Sequence, residues 1–375
     1  MRDRFRLAHA QGMPGATSAL VDDCLAQLGT LSPATNVGFV YATDALADEI
    51  PAVIALLQHV APDVQWTGTV GYGICATARE YYDTPALALM TAALPPDEIR
   101  MLSPQRAESP VFSAEDATWL ARAPQHLGVL HGDPSQAGIP AFITRLAETV
   151  PGAFCVGGLT SSRGDHPQVA GGVTGGAVSG LLCSAAIPVV TRHTQGCTPI
   201  GPVHQVTACE GNIVIELDDR PALAVFKEDV GDVIAHDLRR AAGYIFAALP
   251  IAGSDTGDYL VRNLLGIDPS RQLLAIGETL APGATLMFCR RDGNSARTDL
   301  QRMLREIASR LGEHPRGALY YSCLARGRHQ FGDQAQELRM VADALGDLPL
   351  VGFFANGEIF HNRLYAYTGV LTVFT

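Results

Sequence analysis

The sequence predicts an α/β protein of mixed sheets flanked by helices, in which a strand–helix–strand–turn–strand unit recurs about three times, in two halves. Amphipathic helices alternate with short apolar strands along the chain, a pattern that favours stacked layers of helices and mixed sheets. The composition agrees, because 47% of the residues are hydrophobic, only 17% are charged, and 38 glycines supply turns. A chain of 375 residues is long enough for about two or three domains.

The recurring unit is defined by apolar spacing and by glycine turns. Its helix repeats apolar side chains at positions i, i+3, i+4 and i+7, which gives it one buried face. Its second strand carries a Val-Gly pair, at Val70-Gly71, Val156-Gly157 and Val351-Gly352. The elements of the three units are predicted at residues 36–41, 50–57, 68–73 and 85–90, then at 127–130, 142–150, 154–159 and 177–182, and finally at 317–322, 338–345, 350–354 and 365–371.

Connecting segments complete the predicted organisation. Residues 20–28 and 300–311 have the spacing of amphipathic helices, and residues 221–249 are predicted to be mainly helical. The turn at residues 218–221 predicts a boundary between a domain of residues 1–218, with two units, and one of residues 219–375, with the third. Residues 194–202 are rich in turn formers and predict a chain reversal.

Net charge excludes several classes of partner. The chain carries 27 Lys and Arg against 38 Asp and Glu, a net charge of −11, which repels nucleic-acid phosphates and anionic lipid. Apolar runs stay below the ~18 residues that span a bilayer, and the first residues lack the apolar core of a signal peptide. We therefore expect a cytoplasmic protein, with its eight cysteines as free thiols.

The sequence motifs do not indicate a nucleotide, metal or cofactor site. Lys227 is the single lysine and does not follow a glycine-rich loop, which argues against a P-loop and leaves little room for Schiff-base chemistry. The glycine-rich residues 169–176 do not match GxGxxG and precede an apolar strand, so they predict a turn between strands rather than a phosphate cradle. Metal-binding motifs are missing, and no cofactor is predicted.

Cys323 ends an apolar strand at the point where the chain turns polar, in the motif SCLARG. The nearby Arg326 would favour the thiolate and make this thiol reactive. The alternative is a small buried hydrophobic residue, the usual fate of a free cysteine. The sequence leaves both alternatives open.

Asn356, Gly357 and Glu358 follow the third Val-Gly strand and form a turn between apolar segments that include Phe353. A glycine between two polar residues allows both side chains to face one cavity, so we expect a half-buried site rather than a solvated turn. Cys197 lies in the segment 194–202 without an adjacent charge to activate it.

These motifs, together with QGCTPIG at residues 195–201 and PLVGFFANGEI at residues 349–359, resemble the FIST proteins over nearly the whole chain. The family consists of N- and C-terminal FIST domains that act as small-ligand sensors in bacterial signalling proteins, so the resemblance implies an intracellular sensor of amino acids or related metabolites. It also implies ligand contacts at Gln195, Cys197, Cys323, Arg326, Gly327, Phe353, Asn356, Gly357 and Glu358. Thr198 departs from the expected pattern, because a basic residue is expected at that position.

Two functions from different classes remain. The first is an intracellular ligand-binding sensor without catalytic activity, which passes its signal to a separate output protein, since residues 1–375 carry no kinase, cyclase or F-box segment. The second is a cysteine-dependent enzyme that acts on an acyl or carbonyl substrate through Cys323. The ligand, the output partner and the oligomeric state, with a homo-oligomer as one option, stay open.

Overall fold

The computed structural model describes residues 5–106, 108–231, 237–251, 258–312 and 315–375. It consists of two compact units, the first formed by Met1–Gln195 together with Arg297–Thr375 and the second by Gly196–Ala296. The second unit is therefore an insertion between two parts of the first. None of the helices in the described ranges combines the length and apolarity needed to span a bilayer.

Strands separate most of the described helices in the first unit. The described helices are α1 (Thr17–Leu28), α2 (Ile50–Val60), α3 (Ala114–Leu120), α4 (Ile139–Thr149), α5 (Ala222–Val230), α6 (Gly293–Ala308), α7 (Arg328–Phe331) and α8 (Gln336–Leu345). The described strands are β1 (Arg6–Gln11), β2 (Val37–Thr43), β3 (Gln65–Gly71), β4 (Gly73–Ala76), β5 (Arg79–Tyr82), β6 (Ala86–Ala92), β7 (Ile99–Gln105), β8 (His126–Gly132), β9 (Ala153–Leu159), β10 (Gln168–Ala170), β11 (Val173–Thr174), β12 (Val178–Ser184), β13 (Val189–Gln195), β14 (Cys197–Glu210), β15 (Ile213–Leu217), β16 (Arg220–Pro221), β17 (Ile245–Pro250), β18 (Tyr259–Asp268), β19 (Leu273–Ile276), β20 (Thr285–Arg291), β21 (Gly317–Cys323), β22 (Leu350–Ala355), β23 (Glu358–His361), β24 (Arg363–Tyr365) and β25 (Thr368–Phe374).

Three mixed sheets form the first unit, and they share one arrangement. Their strand orders are β1-β6-β2-β3-β10-β11, β7-β12-β8-β9-β23-β24 and β13-β25-β21-β22-β4-β5. In each, the strand before the helix pairs in parallel with the strand after it. On its other side it pairs with an antiparallel strand. The predicted α/β class with mixed sheets is confirmed.

In each sheet, a glycine occupies the same register in the strand that follows the helix. Gly68, Gly157 and Gly352 lie opposite the fourth residue of β2, the fifth of β8 and the fourth of β21. A Cβ on any of them would lie within 1.9 Å of a backbone oxygen in the neighbouring strand, so no larger residue fits. In the first sheet this glycine is Gly68, whereas the Val-Gly pattern predicts Gly71.

Each short hairpin joins a sheet other than the one that contains the strand before it in the chain. The pair β4-β5 follows β3 but extends the third sheet beside β22, and β10-β11 follows β9 but extends the first sheet beside β3. The pair β23-β24 follows β22 and extends the second sheet beside β9. Strand exchange of this kind ties the three sheets together. The turn predicted in residues 169–176 connects β10 and β11, as expected.

The second unit is a single sheet in the order β14-β20-β17-β18-β19-β15-β16. Because β14 pairs with β20 along its first half and with β15 along its second, the sheet closes on itself. Two local predictions were wrong here. Residues 197–202 belong to β14, with a bulge and a positive φ of 68° at Gly201, rather than to a reversal. Helix α5 ends at Val230, and residues 245–250 form strand β17, while residues 232–236 lie outside the described ranges.

His204 fastens helix α5 to the sheet of the second unit. Its Nδ1 lies 2.6 Å from Asp218 Oδ2 and its Nε2 lies 2.9 Å from Asp229 Oδ2. Burial lowers the pKa of His204, but the hydrogen bonds and charges of the two aspartates outweigh burial and leave its pKa above the ordinary 6.5. The two carboxylates therefore favour the protonated form of the imidazole.

We expect the second unit to lose stability as the pH rises above 6.5. The folded state binds the His204 proton more tightly than the unfolded chain, whose imidazole has a pKa of 6.5, so the stabilisation is complete below that pH and disappears as the pH passes through the folded pKa. Amide hydrogen exchange of peptides from residues 197–230, corrected for intrinsic rates, should show falling protection between about pH 6 and pH 9. His204→Gln should flatten this dependence, and equal slopes in both proteins would contradict the assignment.

Candidate functional site

The loop after β21 is anchored by its own backbone. The Arg326 amide donates to the Cys323 carbonyl at 2.8 Å, and the Leu324 amide donates to the Ala355 carbonyl at 2.9 Å. These bonds tie the loop to the end of the neighbouring strand β22. Because β21 and β22 run in parallel, their polar continuations meet at one edge of the sheet.

Arg326 and Glu337 form a fully buried ion pair beneath this loop. Their side chains are both 0% exposed, and Arg326 Nη2 lies 2.7 Å from Glu337 Oε1. Arg326 Nε also donates to Oε1, at 2.8 Å, and the guanidinium lies 5.0 Å from the Phe331 ring centroid. Buried charges are tolerated only when they are paired and hydrogen-bonded, and this pair meets that condition.

Glu337 receives more hydrogen bonds than any of the site residues predicted at this edge. The hydroxyls of Tyr320 and Ser322 donate to it at 2.6 and 3.1 Å, and the Gly327 amide donates to Oε2 at 2.8 Å. Sequence reasoning missed Glu337, although a signal was present. Glu337 stands four residues before Val341 on the buried face of α8, where a carboxylate has no place unless it is paired.

The hairpin β4-β5 covers the loop. Gly327 has a φ of 48°, and a Cβ there would lie 2.2 Å from the Tyr82 hydroxyl oxygen, so glycine is required for both reasons. Tyr82 packs on Phe354, with ring centroids 5.0 Å apart, and its hydroxyl donates to Glu80 Oε2 at 3.1 Å. Burial and the neighbouring Glu337 raise the pKa of Glu80 to about 8.

Glu358 lies near Cys323 and Arg326, and it is fully buried. Its Oε2 accepts hydrogen bonds from the backbone amide and the hydroxyl of Thr368, at 3.1 and 2.8 Å. Burial raises the pKa of Glu358 to about 8, although Thr368, Arg326 and the Cys323 thiol act in the opposite direction. Glu358 is therefore mainly protonated at neutral pH, and Arg326 pairs with Glu337 instead.

The thiol of Cys323 is buried as well, with 7% of the residue exposed. Burial first, and then the Glu358 carboxyl, raise the pKa of this thiol above its ordinary value, and the opposing effect of Arg326 is smaller. The guanidinium is already neutralised by Glu337, which explains why it does not produce a thiolate. The geometry favours the buried thiol over the reactive one.

The remaining predicted contacts lie in different places. Phe353 is in the core of the first unit, stacked on Tyr41 with ring centroids 5.4 Å apart. Asn356 is exposed, and its amide and the Gly357 carbonyl bond to the two backbone groups of Leu159.

Gln195 and Cys197 belong to separate units. The Gln195 amide donates to Asp299 Oδ2 at 2.6 Å in the first unit. Cys197 is a buried residue of the second unit, where its carbonyl accepts a hydrogen bond of 2.6 Å from the Tyr259 hydroxyl. The structure therefore brings together Cys323, Arg326, Gly327 and Glu358, while Gln195 is held by a helix and Cys197 by the sheet of the other unit.

Comparison with known proteins covers almost the entire chain. The FIST N domain matches residues 36–220, and the FIST C domain matches residues 222–361. An uncharacterized protein of Mycobacterium tuberculosis is 32% identical over 363 residues, which covers 92% of each chain. An uncharacterized protein of Mycobacterium bovis is 31% identical over 352 residues, which covers 88% of this chain and 87% of the relative.

Removal of Glu337 should destabilise the first unit strongly. Glu337→Gln leaves the Arg326 charge buried without its counter-charge, and we expect the free energy of unfolding to fall by about 3–5 kcal/mol in urea titrations. Arg326→Met combined with Glu337→Gln removes that charge and should recover much of the loss. Glu306→Gln, in a partly exposed ion pair with Arg302, is the control and should cost less than about 1 kcal/mol. A Glu337→Gln variant as stable as this control would contradict the assigned role.

Iodoacetamide should label the native thiols in an order set by burial. Cys209 is the one partly exposed cysteine in the described ranges, and the others, Cys323 included, are buried. Because alkylation requires an accessible thiolate, Cys209 should react first and Cys323 only as the protein opens. Mass spectrometry of labelled peptides over time tests this order, with Cys209→Ser as the control. Labelling of Cys323 at the rate of Cys209 would restore the reactive-thiol hypothesis.

Proposed function

The chain belongs to the FIST family, and we propose that it is a sensory protein that binds an amino acid or a related metabolite at the edge formed by Cys323, Arg326 and Glu358. FIST domains are associated with signalling through small-ligand binding, and both domains are present. The proposal includes a cytoplasmic location and a separate protein that receives the signal. It also includes binding without turnover, which the raised pKa of the Cys323 thiol supports.

The observation that carries this proposal is a set of buried polar atoms left without hydrogen-bond partners in the described part of the chain. Three of the buried unpartnered atoms belong to side chains around the loop after β21, namely Glu358 Oε1, Arg326 Nη1 and Glu80 Oε1, and the Cys323 thiol is a weak donor to the Glu358 carboxyl. Each unsatisfied buried polar group costs about 1–3 kcal/mol, and more when the group is charged. Native proteins contain few such atoms, and several around one loop call for a functional explanation. Polar groups of a ligand would supply the missing partners.

The chemistry of these atoms selects the ligand class. Arg326 Nη1 offers N–H groups that fit a carboxylate oxygen, while Glu358 and Glu80 offer oxygens that fit an ammonium group. A molecule that carries both groups on one carbon atom, as an amino acid does, offers partners to both sets. The hairpin β4-β5 has half-buried side chains at residues 80–82. Because it covers the proposed site, this hairpin must move before a ligand can enter.

Calorimetry in two buffers tests the proposal directly. Glu358 holds its proton at neutral pH because its pKa is about 8, and an ammonium group beside it favours the carboxylate, so binding at pH 7 should release up to about one proton. A panel of amino acids is first screened by thermal shift, and each hit is titrated in Tris and in phosphate buffer. We expect the binding heat to differ between buffers for ligands with an amine, and we expect no steady product formation.

Glu358→Gln is the matched variant. Since Glu358 is neutral in the folded protein, the amide replaces it with little change in charge, and the variant should remain folded. It should weaken ligands with an amine, remove the buffer dependence of the heat, and leave ligands without an amine unaffected. A panel without hits, or hits whose heats and affinities do not change in Glu358→Gln, would refute the proposed site. Continuous turnover of a hit would favour the cysteine-dependent enzyme.

A further inference from the structure

A separate cavity of about 740 Å³ lies in the first unit, at the amino ends of β8 and β9. The last residue of β12, the turn after it and the first residues of β13 form another part of its wall, and Arg310 completes it. Its volume is within the usual range for small-molecule sites. None of the residues of the proposed FIST ligand site lines it.

The charge of the cavity is opposite to that of the whole chain. Arg192 and Arg310 line it, and the lining contains no Asp or Glu, although the protein has a net charge of −11. Arg310 is exposed. Arg192 is half-buried, with its Nε 3.5 Å from Glu306 Oε2 and its Nη1 donating to the Thr191 carbonyl. Arg192 is therefore held at the wall by Glu306 and Thr191, and an anion would meet its Nη2 and the Arg310 guanidinium.

His126 also lines the cavity, with its ring centroid 5.2 Å from that of Trp119, and one of its ring nitrogens has no hydrogen-bond partner in the described part of the chain. The residue is 2% exposed. Its Nδ1 lies 3.0 Å from the Pro151 carbonyl, and because a carbonyl only accepts, Nδ1 carries the proton. Its Nε2 is buried without a partner among the described residues. A ligand that enters as the carboxylic acid brings the proton that Nε2 lacks, and the ring and the carboxyl group then share this proton.

The edge of strand β13 adds backbone donors. The Gln195 amide bonds to Asp299 and the His193 carbonyl to Arg302 of α6, so these residues direct their backbone groups away from β25. Because this direction alternates along an antiparallel strand, Val189 and Thr191 also direct theirs away from β25. Both residues line the cavity.

Gln125 and Ser184, whose hydroxyl donates to Glu98, are polar parts of the wall, and another part is apolar. Leu127, Phe154, Ile187 and Val189 line the cavity and belong to, or pack against, the main core of the first unit. We propose that this cavity is a second binding site, which takes a small carboxylate with an apolar tail. The carboxylate lies between Arg192, Arg310 and His126, and the tail lies on the apolar floor.

Octanoate is the probe for this site, measured by calorimetry on the full chain. Octanoate should bind, while octan-1-ol and octylamine, which have the same tail, should bind much more weakly because they lack the anionic group. Arg192→Gln and Arg310→Gln should each raise the dissociation constant of octanoate about tenfold. Arg305→Gln, five residues before Arg310, is the matched control, because Arg305 does not line the cavity, and should leave binding unchanged.

Two further measurements separate this site from a nonspecific anion effect and from the proposed FIST ligand site. Octanoate should shift the ring nitrogen resonances of His126, while Glu358→Gln should leave octanoate binding intact. Equal binding of octanoate and octan-1-ol, or an affinity unaffected by both arginine substitutions, would overturn the proposal. The proposal also fails if Arg305→Gln weakens octanoate as much as Arg310→Gln does. Because Arg310 is exposed, Arg310→Gln should fold normally. Weaker octanoate binding by this variant therefore reports on the cavity rather than on unfolding.

Discussion

The contact among Tyr41, His131 and Tyr321 is the constraint on which the first unit depends. These residues occupy the same register in β2, β8 and β21. Each directly follows the residue that lies opposite Gly68, Gly157 or Gly352 in the neighbouring strand. The Tyr41 hydroxyl lies 3.0 Å from His131 Nε2 and 2.8 Å from the Tyr321 hydroxyl, and all three residues are 0% exposed. Burial lowers the pKa of His131 to about 3, so the cluster is neutral. The tyrosine hydroxyls have their hydrogen-bond partners only when all three sheets meet here. The cluster therefore fixes the three sheets against one another.

Strand exchange between the sheets turns this central contact into a cooperative unit. Because β4, β10 and β23 each complete a sheet that another segment of the chain begins, none of the three sheets can close from a continuous stretch of sequence. Pairing at long sequence separation carries a loop-closure cost and joins the stability of all three sheets. The same exchange places Tyr82, at the end of β5, against Gly327 in the loop after β21. The edge proposed for ligand binding is therefore built from distant segments, and changes there reach the other sheets.

Local spacing predicted several helices and strands of the first unit, whereas strands such as β1, β7 and β13 and the contacts between elements were not predicted. The helices over Ile50–Val60 and Ile139–Thr149 were predicted because apolar residues mark one face, and these faces are buried in the structure. The β14 strand was missed because the prolines and glycine of residues 199–202 are also typical of turns, and the pairing of β14 with β20 overrides that local signal. Cys323, Arg326 and Glu358 were predicted to lie together, and they do. Of their partners, Glu337 could have been found from its place on the apolar face of α8, whereas Thr368 is selected by tertiary packing alone.

The two buried acidic side chains at this edge, Glu337 and Glu358, have different hydrogen-bond partners. Glu337 is surrounded by Tyr320, Ser322, Arg326 and the Gly327 amide, so its charge is compensated and its geometry is fixed. Glu358 has the two donors of Thr368 on one oxygen and no N–H or O–H donor on the other within the described ranges, so burial keeps it protonated. Replacing a buried ion pair by apolar residues often stabilises a protein, so fold stability alone gives little reason for both carboxylates. In the proposed ligand site, Glu358 would release its proton to the solvent when a charged ligand binds, while the ion pair of Arg326 and Glu337 continues to hold the loop.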